Sequence, residues 1–146
     1  MTHTVGVIVA GGEGRRLALD GPKALARIEG RTLLDLAIAA LTEMCDAVVV
    51  ALSPERAIPL PADPRVSAAY DAAGTAGPLA GLVAGLRARP FGAALVLGVD
   101  FPLVSPAALR ALLGMLGDAK AVVPAPGGIP QPLCGVYAPA AIDPLA

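Results

Sequence analysis

The segment Val5-Gly6-Val7-Ile8-Val9-Ala10-Gly11-Gly12-Glu13-Gly14-Arg15-Arg16, with Pro22-Lys23 shortly after, joins an apolar run to a glycine-rich basic loop. An apolar run that breaks into glycines predicts a buried strand ending in a phosphate cradle. Residues without Cβ turn freely, so several N–H groups can point at one anion. Arg15, Arg16 and Lys23 bring the countercharge. Two common nucleotide loops do not fit. A P-loop needs Gly-Lys-Ser/Thr after its first glycine and four-residue spacer, whereas Lys23 follows Pro22 and precedes Ala24. A dinucleotide fingerprint built on Gly12-Glu13-Gly14 would place Leu17 at its third small position. It also lacks the acidic residue about twenty positions on, at the end of a second strand.

The chain around this loop is expected to form a single domain, residues 1–146, long enough to bury a sizeable core. A hydrophobic fraction of 55% with only 3% aromatic residues makes that core one of Ala, Leu and Val, which favours close helix-on-sheet contact. The net charge of −1 argues against nonspecific nucleic-acid binding, which needs clustered cations to displace counterions. No apolar run reaches the ~20 residues needed to span a bilayer, and no basic leader precedes an apolar stretch. A cytoplasmic protein without membrane or nucleic-acid partners is the expectation. Cys45 and Cys134 are too few and too far apart for a metal cluster, and reduced, buried thiols are expected. His3, the only histidine, precedes the first strand and reads as solvated, leaving zinc or histidine-triad chemistry without residues.

Strand-like runs recur at Val5–Ala10, Ala47–Leu52, Ala93–Val99 and Ala121–Pro124, with a weaker one at Val66–Tyr70. Continuous apolar strands predict a sheet covered on both faces. Between them, Thr32–Met44, Pro78–Arg89 and Pro106–Leu116 carry apolar residues at helical spacing, the last two with proline near the helix start. This alternation predicts βαβ units: an α/β three-layer sandwich, Rossmann-like, with a mainly parallel sheet. Ligands in such sheets bind at the carboxyl ends of the strands, where both the glycine loop and Asp100 are expected. Ile58–Pro64 reads as a surface connection.

Asp100 interrupts the apolar stretch Ala94–Val104. A carboxylate there is costly to bury unpaired. It reads either as a ligand for a hard cation such as Mg²⁺ facing phosphates, or as the cap of a turn shaped by Pro102. Asp71 reads as a solvated loop residue or as a member of the same rim. Gly77-Pro78 starts a helix whose N-terminus offers N–H groups to a phosphate or base edge, Gly81 and Leu82 being equally readable as plain helix. Lys23 is either a solvated lysine or a phosphate ligand; Lys120 is the only other lysine in the chain. Glu13 reads as a solvated loop acid.

The segment Val9–Lys23 resembles the nucleotidyltransferases that carry Ala-Gly-Gly-x-x-x-Arg-Met-Gly followed by lysine, above all the molybdenum cofactor guanylyltransferases. Gly77-Pro78-Leu79-Ala80-Gly81-Leu82, Gly98-Val99-Asp100-Phe101-Pro102 and Gln131-Pro132-Leu133-Cys134-Gly135-Val136-Tyr137 are similar to further stretches of that family, in the family's order. Leu17-Ala18 replaces the usual Met-Gly, the loop is one residue longer, and Pro22 stands where an aspartate often precedes the lysine. The resemblance implies a nucleotide-diphospho-sugar transferase type of fold and a Mg²⁺-dependent transfer of GMP from GTP to molybdopterin, with pyrophosphate released. It implies that Asp100 holds the metal, that Lys23 and Arg16 neutralise phosphates, and that Val9, Ala10, Gly11 and Gly12 bind the base and ribose side with Asp71 nearby. Partners implied are GTP, the pterin phosphate and molybdoenzyme maturation proteins. A chain truncated relative to that family is also expected, without its Asn-x-Asn element and closing helix. Two other readings stay open: CTP or another nucleotide with a pterin, sugar or polyol phosphate, and a catalytically weak nucleotide-binding module.

Overall fold

The computed structural model describes residues 3–10, 23–53, 58–70, 78–99 and 105–145. In chain order these form β1 (Thr4–Val9), a 3-10 turn at Lys23–Leu25, the short strands β2 (Arg27–Ile28) and β3 (Arg31–Thr32), α1 (Leu33–Thr42), β4 (Ala47–Leu52) and β5 (Val66–Tyr70). Then come α2 (Pro78–Arg87), β6 (Ala93–Gly98), α3 (Pro106–Gly114), β7 (Ala121–Val122), β8 (Cys134–Tyr137) and α4 (Ile142–Leu145). The six-stranded sheet has the order β5-β4-β1-β6-β8-β7. β5, β4, β1 and β6 are parallel, and β8 runs antiparallel to both β6 and β7. The sheet is therefore mainly parallel, with β8 alone reversed.

Every residue of β1, β4 and β6 is buried, which explains why these strands read as unbroken apolar runs. Successive side chains point to opposite faces. Ile8, Val48, Val50, Leu95 and Leu97 pack with Leu34, Leu41 and Leu109, from α1 and α3. Val5, Val7, Val49 and Val96 pack on the other face with Leu82 and Leu86 of α2, and with Ala141 just ahead of α4. The expected three layers follow. Glycine brings the layers close: a Cβ on Gly6 would stand 3.0 Å from Leu41 Cδ1, and one on Gly85 would stand 2.4 Å from Val7 Cγ1.

Some boundaries differ from the reading of the sequence. Thr32 caps α1 rather than joining it, its hydroxyl accepting the Asp35 N–H at 3.0 Å, in a capping box completed by the Asp35 carboxylate. β7 stops at Val122 instead of Pro124, a residue with no N–H to donate to a ladder. Its carbonyl accepts the Gln131 N–H instead. The β2–β3 hairpin was not foreseen, because its turn residues Glu29 and Gly30 both take positive φ, at 53° and 83°, and Glu is not a usual turn residue there.

Cys45 and Cys134 are free and buried, as expected. Burial first, and the neighbouring Asp46 charge second, push the Cys45 thiol from an ordinary 9.0 up to about 12. Above pH 9 the unfolded chain has lost this proton while the folded protein still holds it, so stability must fall as pH rises from there toward 12. Urea midpoints should be flat with respect to this thiol below about pH 9 and decline above it. Cys45→Ala should make the alkaline decline shallower. An unchanged slope would show that the thiol does not govern it.

Candidate active site

Because β5, β4, β1 and β6 are parallel, the chain leaves all four at one edge of the sheet. At that edge Val9 lies opposite both Ala51 and Gly98. The Ala10 N–H donates to the Ala51 carbonyl at 3.0 Å, and the Val99 N–H donates to the Val9 carbonyl at 3.4 Å. Val9 and Ala10 are buried, so they fasten the strand end into the sheet, and the Ala10 N–H is already committed there. Gly11, Gly12, Arg16, Asp71 and Asp100 lie outside the described residues. In sequence, however, Gly11 follows Ala10 of β1, Asp71 follows Tyr70 of β5, and Asp100 follows Val99 beyond β6. The structure thus brings β1 and β6 together as immediate neighbours, which the sequence reading placed on one rim but not side by side.

Lys23 opens the 3-10 turn that resumes the chain after the glycine segment. Its neighbour Ala24 is fully buried in the cluster beneath α1, and the Ala26 carbonyl accepts the Leu33 N–H at 2.8 Å. The backbone at Lys23 is therefore tied to the start of α1.

Across β6 from β1, residues Gln131–Leu133 form a strap that leads into β8. The Gly98 N–H donates to the Leu133 carbonyl at 2.7 Å, and the Tyr137 hydroxyl donates to the Pro132 carbonyl at 2.7 Å. The Gln131 N–H donates to Pro124 at 2.8 Å, and its own carbonyl accepts from Cys134 at 3.0 Å. The sequence reading marked Gln131–Tyr137 by resemblance but gave Tyr137 no role; a tyrosine in a chain with 3% aromatic residues was the available signal. Burial raises the Cys134 thiol above its usual range, which disfavours the thiolate. His3 sits at the far end of β1, half-exposed, with Nδ1 3.3 Å from Asp46 Oδ2.

Among the described residues no group of three His, Cys, Asp or Glu side chains is arranged to hold a metal. Among them, too, no helix is long and apolar enough to cross a membrane.

Known proteins resemble the chain along nearly its whole length. A Chloroflexus aggregans protein named "Probable molybdenum cofactor guanylyltransferase" is 39% identical, matching 96% of this chain and 68% of its own length. The 2-C-methyl-D-erythritol 4-phosphate cytidylyltransferase of Deinococcus radiodurans is 35% identical over 82% of this chain and 49% of its own. The crystal structure of molybdopterin-guanine dinucleotide biosynthesis protein A from Archaeoglobus fulgidus superposes with a TM-score of 0.75 at 25% identity, covering 97% of this chain and 70% of that one. The chain thus spans about two thirds of the length of its guanylyltransferase relative. Residues 6–146 match the model of the MobA-like NTP transferase domain, and the chain belongs to that family of nucleotidyltransferases.

Proposed function

We propose that this chain moves GMP from GTP to the phosphate of a molybdopterin-type acceptor. An acceptor phosphate oxygen attacks the α-phosphorus, the bond between the α-phosphorus and its bridging oxygen breaks, and pyrophosphate leaves. The observation that carries this reading is the pairing of Val9 with Gly98, extended by the bond from the Val99 N–H to the Val9 carbonyl. It makes the strand that runs into the glycine segment the direct neighbour of the strand that runs into Asp100. Such a transfer needs positioning and charge stabilisation rather than a covalent nucleophile. Lys23 and Arg16 would neutralise the departing pyrophosphate, and the segment Gly11-Gly12 would offer backbone N–H groups to the nucleotide.

Mg²⁺ fits the donor set in the sequence. Asp100 offers hard carboxylate oxygens, and Mg²⁺ is typically held by one or two carboxylates plus phosphates and water. When bound it would offset charge on the triphosphate. The cytidylyltransferase relative favours one second reading, the same chemistry with CTP.

Melting the protein with Mg²⁺ and each of GTP, CTP, ATP and UTP tests the proposal. GTP at a hundredfold excess over Kd should stabilise by about 2.7 kcal/mol, several degrees in Tm, and the shift should vanish in Lys23→Ala. A CTP-selective shift would move the assignment to cytidylyl transfer. No shift with any nucleotide would sink both.

A further inference from the structure

We infer that Tyr137 is a positioning residue for the transfer reaction, its hydroxyl fixing the Gln131–Leu133 strap against the carboxyl end of β6. The inference rests on the guanylyltransferase reading for its kinetic part and on geometry for the rest. Tyr137 is buried, 3% exposed, yet its hydroxyl is spent on a single carbonyl five residues back, that of Pro132. The ring lies over Gly135, two residues earlier on the same face of β8. A Cβ there would meet Tyr137 Cε2 at 3.6 Å, and the Val122 carbonyl at 2.8 Å. The ring therefore leans back along β8 toward the strap.

From Pro132 the strap passes directly to the rim. The next residue, Leu133, accepts the Gly98 N–H at 2.7 Å, and its Cβ would lie 3.2 Å from a Cβ on Gly98. The strap thus rests on the backbone of the last residue of β6, with no side chain between. Sheet order gives the side: β6 lies between β1 and β8, so the strap borders β6 opposite β1. In-line displacement requires the attacking oxygen to approach opposite the leaving pyrophosphate. In the guanylyltransferase reading the nucleotide belongs to the segment that follows β1 in sequence, with the acceptor assigned to the side of the strap. Small displacements of supporting groups are costly in such reactions.

Tyr137→Phe keeps the ring and removes only the hydroxyl, and two measurements on it decide the matter. Hydrogen exchange at the Gly98 amide should quicken about tenfold, since the carbonyl it donates to sits on the loosened strap. In pyrophosphate-release kinetics well below the Tm, KM for the pterin phosphate acceptor should rise several-fold while the Kd for GTP stays unchanged. A purely structural tyrosine would lower the Tm and leave that split untouched. Unchanged Gly98 exchange overturns the inference whatever the reaction is. Normal acceptor KM in an enzyme that turns over overturns it for catalysis. Absence of pyrophosphate release by the unsubstituted protein would remove the guanylyltransferase reading, and the acceptor role with it, while the exchange result would still be read on its own.

Discussion

Asp100→Asn should abolish pyrophosphate release, lowering kcat by at least about 10³-fold, with little change in Tm. Loss of one preorganised charge-stabilising group typically costs 10² to 10³ in rate, and a group that also holds a metal ion should cost more. The amide has the carboxylate's shape but not its charge, so it cannot balance a cation facing a triphosphate. The fold should survive because the chain is secured before this position is reached. Val99 is buried, its N–H is bonded to Val9, and the Gly98 N–H is bonded to Leu133. Steady-state kinetics at saturating GTP and Mg²⁺, beside a melting curve, make the check. Turnover equal to that of the parent would take the metal assignment away from Asp100; a collapsed Tm would make the residue a cap of its turn.

The sequence revealed most of the sheet because burial on both faces leaves a plain mark. β1, β4 and β6 are apolar at nearly every position and buried throughout. β8 was visible only through a resembling stretch, since four residues, Cys134–Tyr137, carry too little periodicity to declare a reversed strand. The hairpin of β2 and β3 was silent because its two-residue strands carry no periodicity and its turn places Glu29 at positive φ. Strand order was the larger omission. Alternating strands and helices predict a rim but not which strands meet on it, and the adjacency of β1 and β6 is settled by long-range packing. The candidate residues Gly11, Gly12, Arg16, Asp71 and Asp100 stand in the sequence immediately beyond or near described strand ends, and their roles remain proposals. The rarity of tyrosine marked Tyr137, but the partner of its hydroxyl left no mark in the sequence, because it is set by the turn over Gln131–Cys134.

Gly85→Val should destabilise the protein by about 3 kcal/mol, and Gly85→Ala by up to about 2 kcal/mol. Two effects of opposite sign compete in the alanine variant. Gly85 lies inside α2, where Gly→Ala ordinarily gains about 1 kcal/mol of helix propensity. Against that gain, the new Cβ would stand 2.4 Å from Val7 Cγ1, well inside contact distance. Val7 is fully buried in the central strand and is stiff at χ1, so it has little freedom to move aside. Overpacking of a close-packed core costs typically 1 to 3 kcal/mol, which exceeds the propensity gain. A valine adds two more methyl groups to the same contact and a β-branched penalty in the helix, hence the larger loss. At roughly 4 °C per kcal/mol for a chain of this size, both are readable by calorimetry. The decisive variant is the pair Gly85→Ala with Val7→Ala. Emptying the site on β1 makes room for the Cβ on α2, so the double variant should be more stable than the sum of the single losses predicts, by about 1 kcal/mol or more. Strict additivity would mean that α2 shifts away from β1 at no cost. The close approach of helix to strand would then not be what holds β1 in place.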